Sequence, residues 1–448
     1  MSVDKLVDST QLDADLTSVA NAIRTKGGTS AQLAFPAGFV QAIGDIPSGG
    51  SDDGIPILKD VVFIDYDGTI VEQYTKAEFL ALDSLPSNPS HSGLTAQGWN
   101  WTLADAKTYV TANGMLVVGQ NYTTSDGKTR VYITVNEPLV GSVLYLQLTT
   151  SVKGGVTIDW GDGTSQATTG NADAKTKYSH SYSASGEYVI TFTRTDGTYQ
   201  LGKGTGGNAY DGFLSKDASA SLLRLIVRKV EIGDYVTDIS MEAFDGCSSL
   251  SSISISRSVT VFSSGTRGNA FRRTGIKALV IPSGTTALVT LFSSCQTVQF
   301  ISIPKTVASY SIVDGEMDRM LMLTLPEVAS IPARVFYGMH GILKACAPGT
   351  YTAISSNYTR ACRLLKSVVI PASVTSIAQH ALTEMDNVRE YHFLSTSPPA
   401  LASTSNMFSL NTGTKIYVPY SADHSILNAY KTATNWTSFA SYIEEEPQ

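Results

Sequence analysis

Charge is scarce in this 448-residue chain. Asp, Glu, Lys and Arg together make up 16% of it, with a formal net charge of −7. No run of Lys or Arg occurs, so the footprint that a phosphate backbone demands is missing and no nucleic-acid partner is expected. No apolar run reaches the roughly 18 residues that a membrane-crossing helix needs, so no insertion into a membrane is expected. The opening stretch MSVDKLVDSTQL lacks a basic-then-apolar leader, and the closing SYIEEEPQ carries no anchor. There are four cysteines, Cys247, Cys295, Cys346 and Cys362, all in the second half and none in a C-x-x-C pair. That pattern reads as buried free thiols rather than disulfides or a metal site. The six histidines are scattered, without H-x-x-x-H or H-E-x-x-H, and neither G-x-S-x-G nor a phosphate-cradling glycine loop appears. What fills the chain instead is 42% hydrophobic residues with abundant Ser, Thr, Gly and Tyr. This is the composition of extracellular-type β structure rather than of a cytosolic α/β enzyme.

The pattern along the chain predicts a multidomain, mostly β protein. In residues 1–50, Leu12, Leu16, Val19 and Ile23 recur at helical spacing, and Gly27-Gly28 ends the helix. A second short apolar face follows at Phe35, Phe39, Val40 and Ile43, and then the flexible IPSGGSDDGIP. Amphipathic helices this short cannot cover their own apolar faces, so an attachment or oligomerisation segment is expected there. Residues 51–138 read as a small α+β domain. Its two helices open on capping-box patterns, Thr75 with Glu78 and Thr102 with Asp105. Between them a turn-rich loop carries Trp99 and Trp101, which are candidate receptor contacts. After the second helix comes strand, Asp126-Gly127 turn, strand.

One stretch suggests chemistry. DVVFIDYDGTIVEQY, from Asp60, resembles the first motif of the haloacid-dehalogenase-like phosphatases, in which Asp65 would be the nucleophile and Asp67 the general acid. Gly233-Asp234 with Asp238 resembles that family's late acidic motif. Yet Gly233 falls in a repeat series, and an Asp-Gly hairpin and a strand-rich segment intervene where that fold needs βαβ units. The residues themselves read as a β-hairpin with Asp67-Gly68 at the two central, positive-φ turn positions. The expectation is therefore no enzyme and no catalytic residue.

Residues 139–203 are strand-rich. VTIDWGDGTSQ and KYSHSYSASGEYVITFT resemble the PKD-type immunoglobulin-like domain through Gly161, Asp162, Gly163, Thr164, His180, Tyr182, Gly186, Tyr188 and Val189, with Trp160 displaced next to the glycine. That likeness implies a rigid spacer or carbohydrate-associated sandwich. It also leaves a calcium site at Asp159 and Asp162 open beside a turn-forming role for Asp162. No other cofactor is implied.

Residues 223–448 repeat. Gly233, Ser256, Pro282, Pro304, Pro326, Pro348 and Pro371 follow strand-like runs at intervals of 22 to 26 residues. The clearest unit, YVTDISMEAFDGCSSLSSISI, continues as V-T-x-I and then A-F-x-x-C-x-x-L. Such units bury their apolar residues only against neighbours, which makes a solenoid. The pattern resembles the BspA-like leucine-rich repeats, and the tail resembles that family's last unit and cap. The inward C-x-x-L/V slot takes Cys247 and Cys295. Finally, LTSVANAIRTKGGTSAQLAFPAGFVQAI and the DYDGTIVEQY…LADAK stretch resemble tail and fibre proteins of phages and prophages of gut Firmicutes. Those resemblances imply a virion protein assembled in the host cytoplasm and displayed on the tail or another exterior part. It would attach to other phage structural proteins by residues 1–50, form an oligomer, with a trimer favoured, and bind a host-surface glycan or protein through the solenoid. A bacterial BspA-like surface adhesin and a head decoration fibre are the alternatives.

Overall fold

The computed structural model describes residues 58–447, apart from 203–211, 215–221, 263–268, 289–291, 294, 311–312, 315–316, 326, 328–335 and 347. The expected helical segment with Leu12, Leu16, Val19 and Ile23 lies outside the described residues, as does the Pro326 anchor. Lys59–Gln448 forms one compact unit, and within it the fold is mostly β.

The first sheet holds β1 (Val61–Ile64), β2 (Ile70–Tyr74), β3 (Leu94–Trp99) and β4 (Leu116–Thr124) in the order β2-β1-β4-β3. β1 and β4 pair in parallel, and the other pairs are antiparallel. Helices α1 (Lys76–Leu80) and α2 (Leu103–Asn113) pack on this sheet, sharing a core of Phe63, Phe79, Trp99, Val110, Leu116 and Val118. Both predicted caps form. Thr75 and Glu78 make a reciprocal box, Thr102 accepts from the Asp105 N–H, and α2 stops at Gly114 with φ +82°. The stretch between the helices is not all loop, since β3 runs through it.

The β1–β2 hairpin stands, but its turn is of another type. Gly68 donates to the Asp65 carbonyl (3.1 Å) and Asp65 donates to that of Thr69 (2.9 Å), so Tyr66 and Asp67 are the central residues. In this stretch only Gly68 has positive φ, +91°. A type I turn closed by a glycine bulge, matching the right-handed strand twist, replaces the expected pair of positive-φ positions.

The Asp126-Gly127 turn does not close a hairpin. It sends the chain from β4 into a different sheet. β5 (Thr129–Val135), β10 (Gly186–Arg194), β7 (Val156–Asp159) and β8 (Ser165–Ala167) form one antiparallel group. β11 (Tyr199–Leu201), β6 (Leu144–Thr150) and β9 (Lys175–His180) form another. Inward residues alternate along β5, and Val131, Ile133, Leu146, Leu148, Ile158 and Phe192 share the core between the groups. The W-G-D-G-T and H-x-Y motifs meet in space. Trp160 stacks on His180 (4.8 Å between centroids), Tyr182 donates to the Trp160 carbonyl (2.8 Å), and Tyr188 lies 4.2 Å from Tyr182.

Both sheets then run on into the repeats. Val227–Glu231 pairs with β5, and Val236–Ile239 pairs with β11. Successive coils add short parallel strands to two ladders. The first ladder includes Ser252–Ser254, Ala278–Val280, Phe300–Ser302 and Met322–Leu323. It resumes as Ala345–Cys346, Ser367–Ile370, Glu390–Phe393, Lys415–Val418 and Ile443–Glu445. The repeat anchors predicted from sequence are the corners between ladders. The carbonyls of Ser256, Pro282, Pro304, Pro348 and Pro371 each accept from the N–H three residues on, and proline suits this place because no ladder hydrogen bond is asked of its nitrogen. Gly233 replaces it at the first coil for space, since a Cβ there would lie 2.1 Å from the Gly127 carbonyl oxygen. A third corner recurs as pairs of left-handed residues four apart: Asn269 and Arg273, Asn357 and Ala361, His380 and Glu384. Inside, Phe244 stacks on Phe271, and Cys247, Cys295 and Cys362 are buried free thiols. The far end is closed by the helix Ser425–Thr432 and by Trp436, which is fully buried against Phe393, Phe408 and Tyr430.

Candidate functional site

The chain lays its own first domain over the early strands of the first ladder. β4 crosses the early coils. The Asn121 side chain reaches the Ile255 carbonyl (3.5 Å), Gly119 lies against Val280 and Ser302, and the Val117 N–H donates to Thr324 Oγ1 (2.6 Å). Its side chains divide by parity. Leu116 and Val118 face the helices, while Val117, Gly119 and Asn121 face the ladder.

The fastening follows the repeat. The carbonyls just ahead of anchors 282, 304 and 326 belong to Ile281, Ile303 and Leu325. Asn100 Nδ2 donates to Ile281 (3.0 Å), Trp101 Nε1 to Ile303 (3.0 Å) and the Tyr109 hydroxyl to Leu325 (2.7 Å). Asn100 is also satisfied on its other side, where Oδ1 accepts from the Gly119 N–H and from Ser302 Oγ. These are fully paired buried polar groups of the kind that fix one packing arrangement.

This corrects the expectation for Trp99 and Trp101. Both are core residues, 6% and 4% exposed, and neither offers a surface to a receptor. Trp99 donates to the Pro86 carbonyl and packs edge-on to Phe63; Trp101 locks the domain to a coil. The sequence offered an indole pair in a polar loop, which reads as exposed unless the 22-residue period of acceptor carbonyls opposite is known.

The ladder is uncovered from Ser367 onward. Along Ser367–Ile370, Glu390–Phe393 and Lys415–Val418 burial alternates, with Val369, His392 and Tyr417 on the outer face. The His392 ring stacks on Tyr417 at 5.2 Å and is held by Glu446 (2.7 Å) and Glu390 (3.2 Å). At the seam between α2 and this open strip lies a cavity of about 460 Å³, lined among others by Asp60, Lys76, Met115, Lys344, Lys366 and Val369. Asp60 accepts from Lys344 Nζ (2.7 Å) and from the Lys76 N–H (2.8 Å). Burial pushes the Asp60 carboxyl up, but these two donors outweigh it and hold it below the usual carboxylate range. Nothing in the sequence singled out this cavity, although Lys344 and Lys366 lie one repeat apart.

Asp65 is 4% exposed; its two oxygens accept from the Tyr66 N–H (2.8 Å) and meet His91 Nε2 (2.6 Å). The Tyr66, His91 and Tyr122 rings pack edge to face around the pair. Asp234 and Asp238 lie far from it along the chain, in the first coil, as the repeat register predicts. Asp162 Oδ1 takes the Thr164 N–H and hydroxyl, and Oδ2 meets His180 (2.7 Å); Asp159 takes the Gly161 N–H. Both aspartates thus order the turn.

Residues 224–312 and 318–434 match the family model described as the BspA type leucine rich repeat region, in six copies. The coils are BspA-type leucine-rich repeats. Among solved structures, a leucine-rich repeat protein from Bacteroides ovatus ATCC 8483 is similar at 17% identity, over 43% of this chain and 55% of that one, with a TM-score of 0.34. A leucine rich cell surface protein from Faecalibacterium prausnitzii A2-165 is similar at 19% identity, over 36% and 52%, with a TM-score of 0.27. The chain thus spans about half the length of each. No curated protein matches it.

Proposed function

We propose that the chain is a phage virion protein of the tail or baseplate. In this reading residues 1–50 join it to other structural proteins or to copies of itself, and the open C-terminal coils bind a glycan or protein on the host surface. The observation that carries the binding role is the division of the repeat ladder. The early coils are sealed by β4, Asn100, Trp101 and Tyr109, and the later ones present Val369, His392 and Tyr417. A flat row of aromatic and aliphatic side chains flanked by charges suits sugar rings or a protein edge. The virion role rests on the tail-protein resemblance of the first hundred residues. We read β5 to β11, with the Trp160–His180–Tyr182 cluster, as a PKD-type sandwich that caps the first coil, and Asp65 as a structural carboxylate rather than a nucleophile. The BspA-type repeats equally suit a bacterial surface adhesin, which is the second reading.

Two measurements test this. Tyr417→Ala should weaken binding of the purified chain to intact host cells about tenfold, the loss of one stacked aromatic anchor; undiminished binding would remove the open ladder from the role. Immunogold labelling with an antibody to residues 223–448 should mark phage tails. Label on the envelope of uninfected cells would establish the adhesin instead, and label on capsids a head fibre.

A further inference from the structure

We infer that the seam cavity beside the open ladder binds an anionic group, a carboxylate or a phosphate, carried on the ligand that the ladder contacts; this rests on the binding role proposed above. The charge pattern is local and runs against that of the chain, whose net charge is −7. Lys76, Lys344 and Lys366 are among the residues lining the cavity, and Asp60 is the one carboxylate among the described lining residues. That carboxylate is already engaged by Lys344 and by the Lys76 main-chain N–H. The Lys76 ammonium turns to a neutral acceptor, the Thr111 carbonyl (3.0 Å). Lys366 is exposed and has no acidic partner among the described residues. One step along the ladder, Arg389 spends its Nη1 on main-chain carbonyls, those of Asp386 and Val388. Glu327, tied to Asn113 Nδ2 at 3.2 Å, and Glu390, in register with Ser367 and turned to His392 Nε2 at 3.2 Å, are further acids near the rim, and counting both, with Asp60, against the three lysines and Arg389 leaves one positive charge.

The floor is apolar, formed by Met115, Leu343 and Val369. An apolar floor beside the Lys366 ammonium selects an anion attached to a body with apolar faces. A sugar ring bearing a carboxylate or phosphate is such a body, whereas a bare inorganic ion gains nothing from the floor. The volume, about 460 Å³, lies in the range of small-ligand sites. Position matters as well. The cavity opens where the covered ladder ends and the open one begins, so a chain-like ligand lying over Val369, His392 and Tyr417 can place its terminal charged unit in it.

The test is titration calorimetry on the full chain with three probes: a uronic-acid oligosaccharide, a glycerol-phosphate oligomer and a neutral glucan oligosaccharide. One charged probe should bind saturably and the neutral one more weakly. Binding should weaken with added salt, because exposed charges are screened, and Lys366→Glu should reduce it about tenfold or more by reversing the charge at the mouth. Lys366 is on the surface, so this substitution leaves the fold intact. Which charged probe binds decides between carboxylate and phosphate. The inference is overturned if neither charged probe binds, if the neutral one binds equally well, or if Lys366→Glu binds like the wild type. Host-cell binding that survives such a negative result would leave the receptor role standing and remove only the anion site. Charged-probe binding lost in Lys366→Glu, without any cell binding, would do the reverse.

Discussion

Asp238 lies in the second ladder, 5% exposed, and its Oδ1 finds no hydrogen-bond partner among the described residues. Burial pushes its carboxyl up to about 7. An unfolded aspartate releases its proton near pH 4. Between these two values the folded chain holds one proton more than the unfolded chain, so stability falls as pH rises, and the loss is complete above the folded value. Asp238→Asn removes the titration. The stability difference between variant and wild type should therefore grow from near zero at pH 4 to on the order of 4 kcal/mol at pH 7.5, in favour of the variant. Denaturant midpoints at the two pH values measure it; a difference that does not change with pH would mean that Asp238 is ionised at little cost. The cysteines show how the same inward setting acts on a thiol. Burial raises Cys247 and Cys362, while Cys295 and Cys362 donate to the Phe271 and Phe336 carbonyls of the coil before (both 2.9 Å). The C-x-x-L pattern made the slot of Cys247 and Cys295 legible. Asp238 was not legible as a buried group, because its place in V-T-x-I looks like a turn-facing polar position.

β4 is the element on which the division of the ladder depends. Its LVVGQNYTT sequence is buried at every position, which is expected of a central strand covered on both faces. One face must approach the coils closely, and Gly119 permits it. A Cβ at Gly119 would lie 2.5 and 2.6 Å from the Val280 methyl carbons and 3.0 Å from Ser302 Cβ. Gly119→Ala should therefore destabilise the chain by about 1–3 kcal/mol through overpacking. Hydrogen exchange should show β4 and Ala278–Val280 losing protection together. Wild-type stability in the alanine variant would mean that the domain sits on the coils less tightly than these distances require. The sequence showed both helix caps of this domain and its first hairpin because those are local devices. It did not show the docking, because the docking partners, such as Asn100 with Ile281 and Trp101 with Ile303, lie about two hundred residues apart and pair side chains with main-chain carbonyls that any sequence would supply.

At the scale of the whole molecule, the repeat period placed the coils and their corners. The strand-rich segment before them was equally visible, through W-G-D-G-T and H-x-Y. Hidden was the junction. β5 and β11, which read as parts of two separate segments, are the strands on which the two ladders begin, through pairs such as Val131 with Val230 and Leu201 with Ile239. Solenoid coils gain stability from their neighbours, and an uncapped first coil would leave a ladder edge unpaired. The two-sheet unit thus acts as the first coil's neighbour, and the two should open as one body. Native-state hydrogen exchange measures this directly. Amides in β5, in β10, in Val227–Glu231 and in Ser252–Ser254 should share one opening free energy, within about 1 kcal/mol, since segments of one cooperative unit exchange at a common value. Ile443–Glu445, paired on one side by Lys415–Val418, should open at a lower free energy. If β5 and β10 exchange as a separate, weaker unit while Val227–Glu231 stays protected, the two-sheet unit is an independent domain leaning on the solenoid rather than its cap. Asp126-Gly127 would then be a linker, and the solenoid would have to hold its first coil by other means.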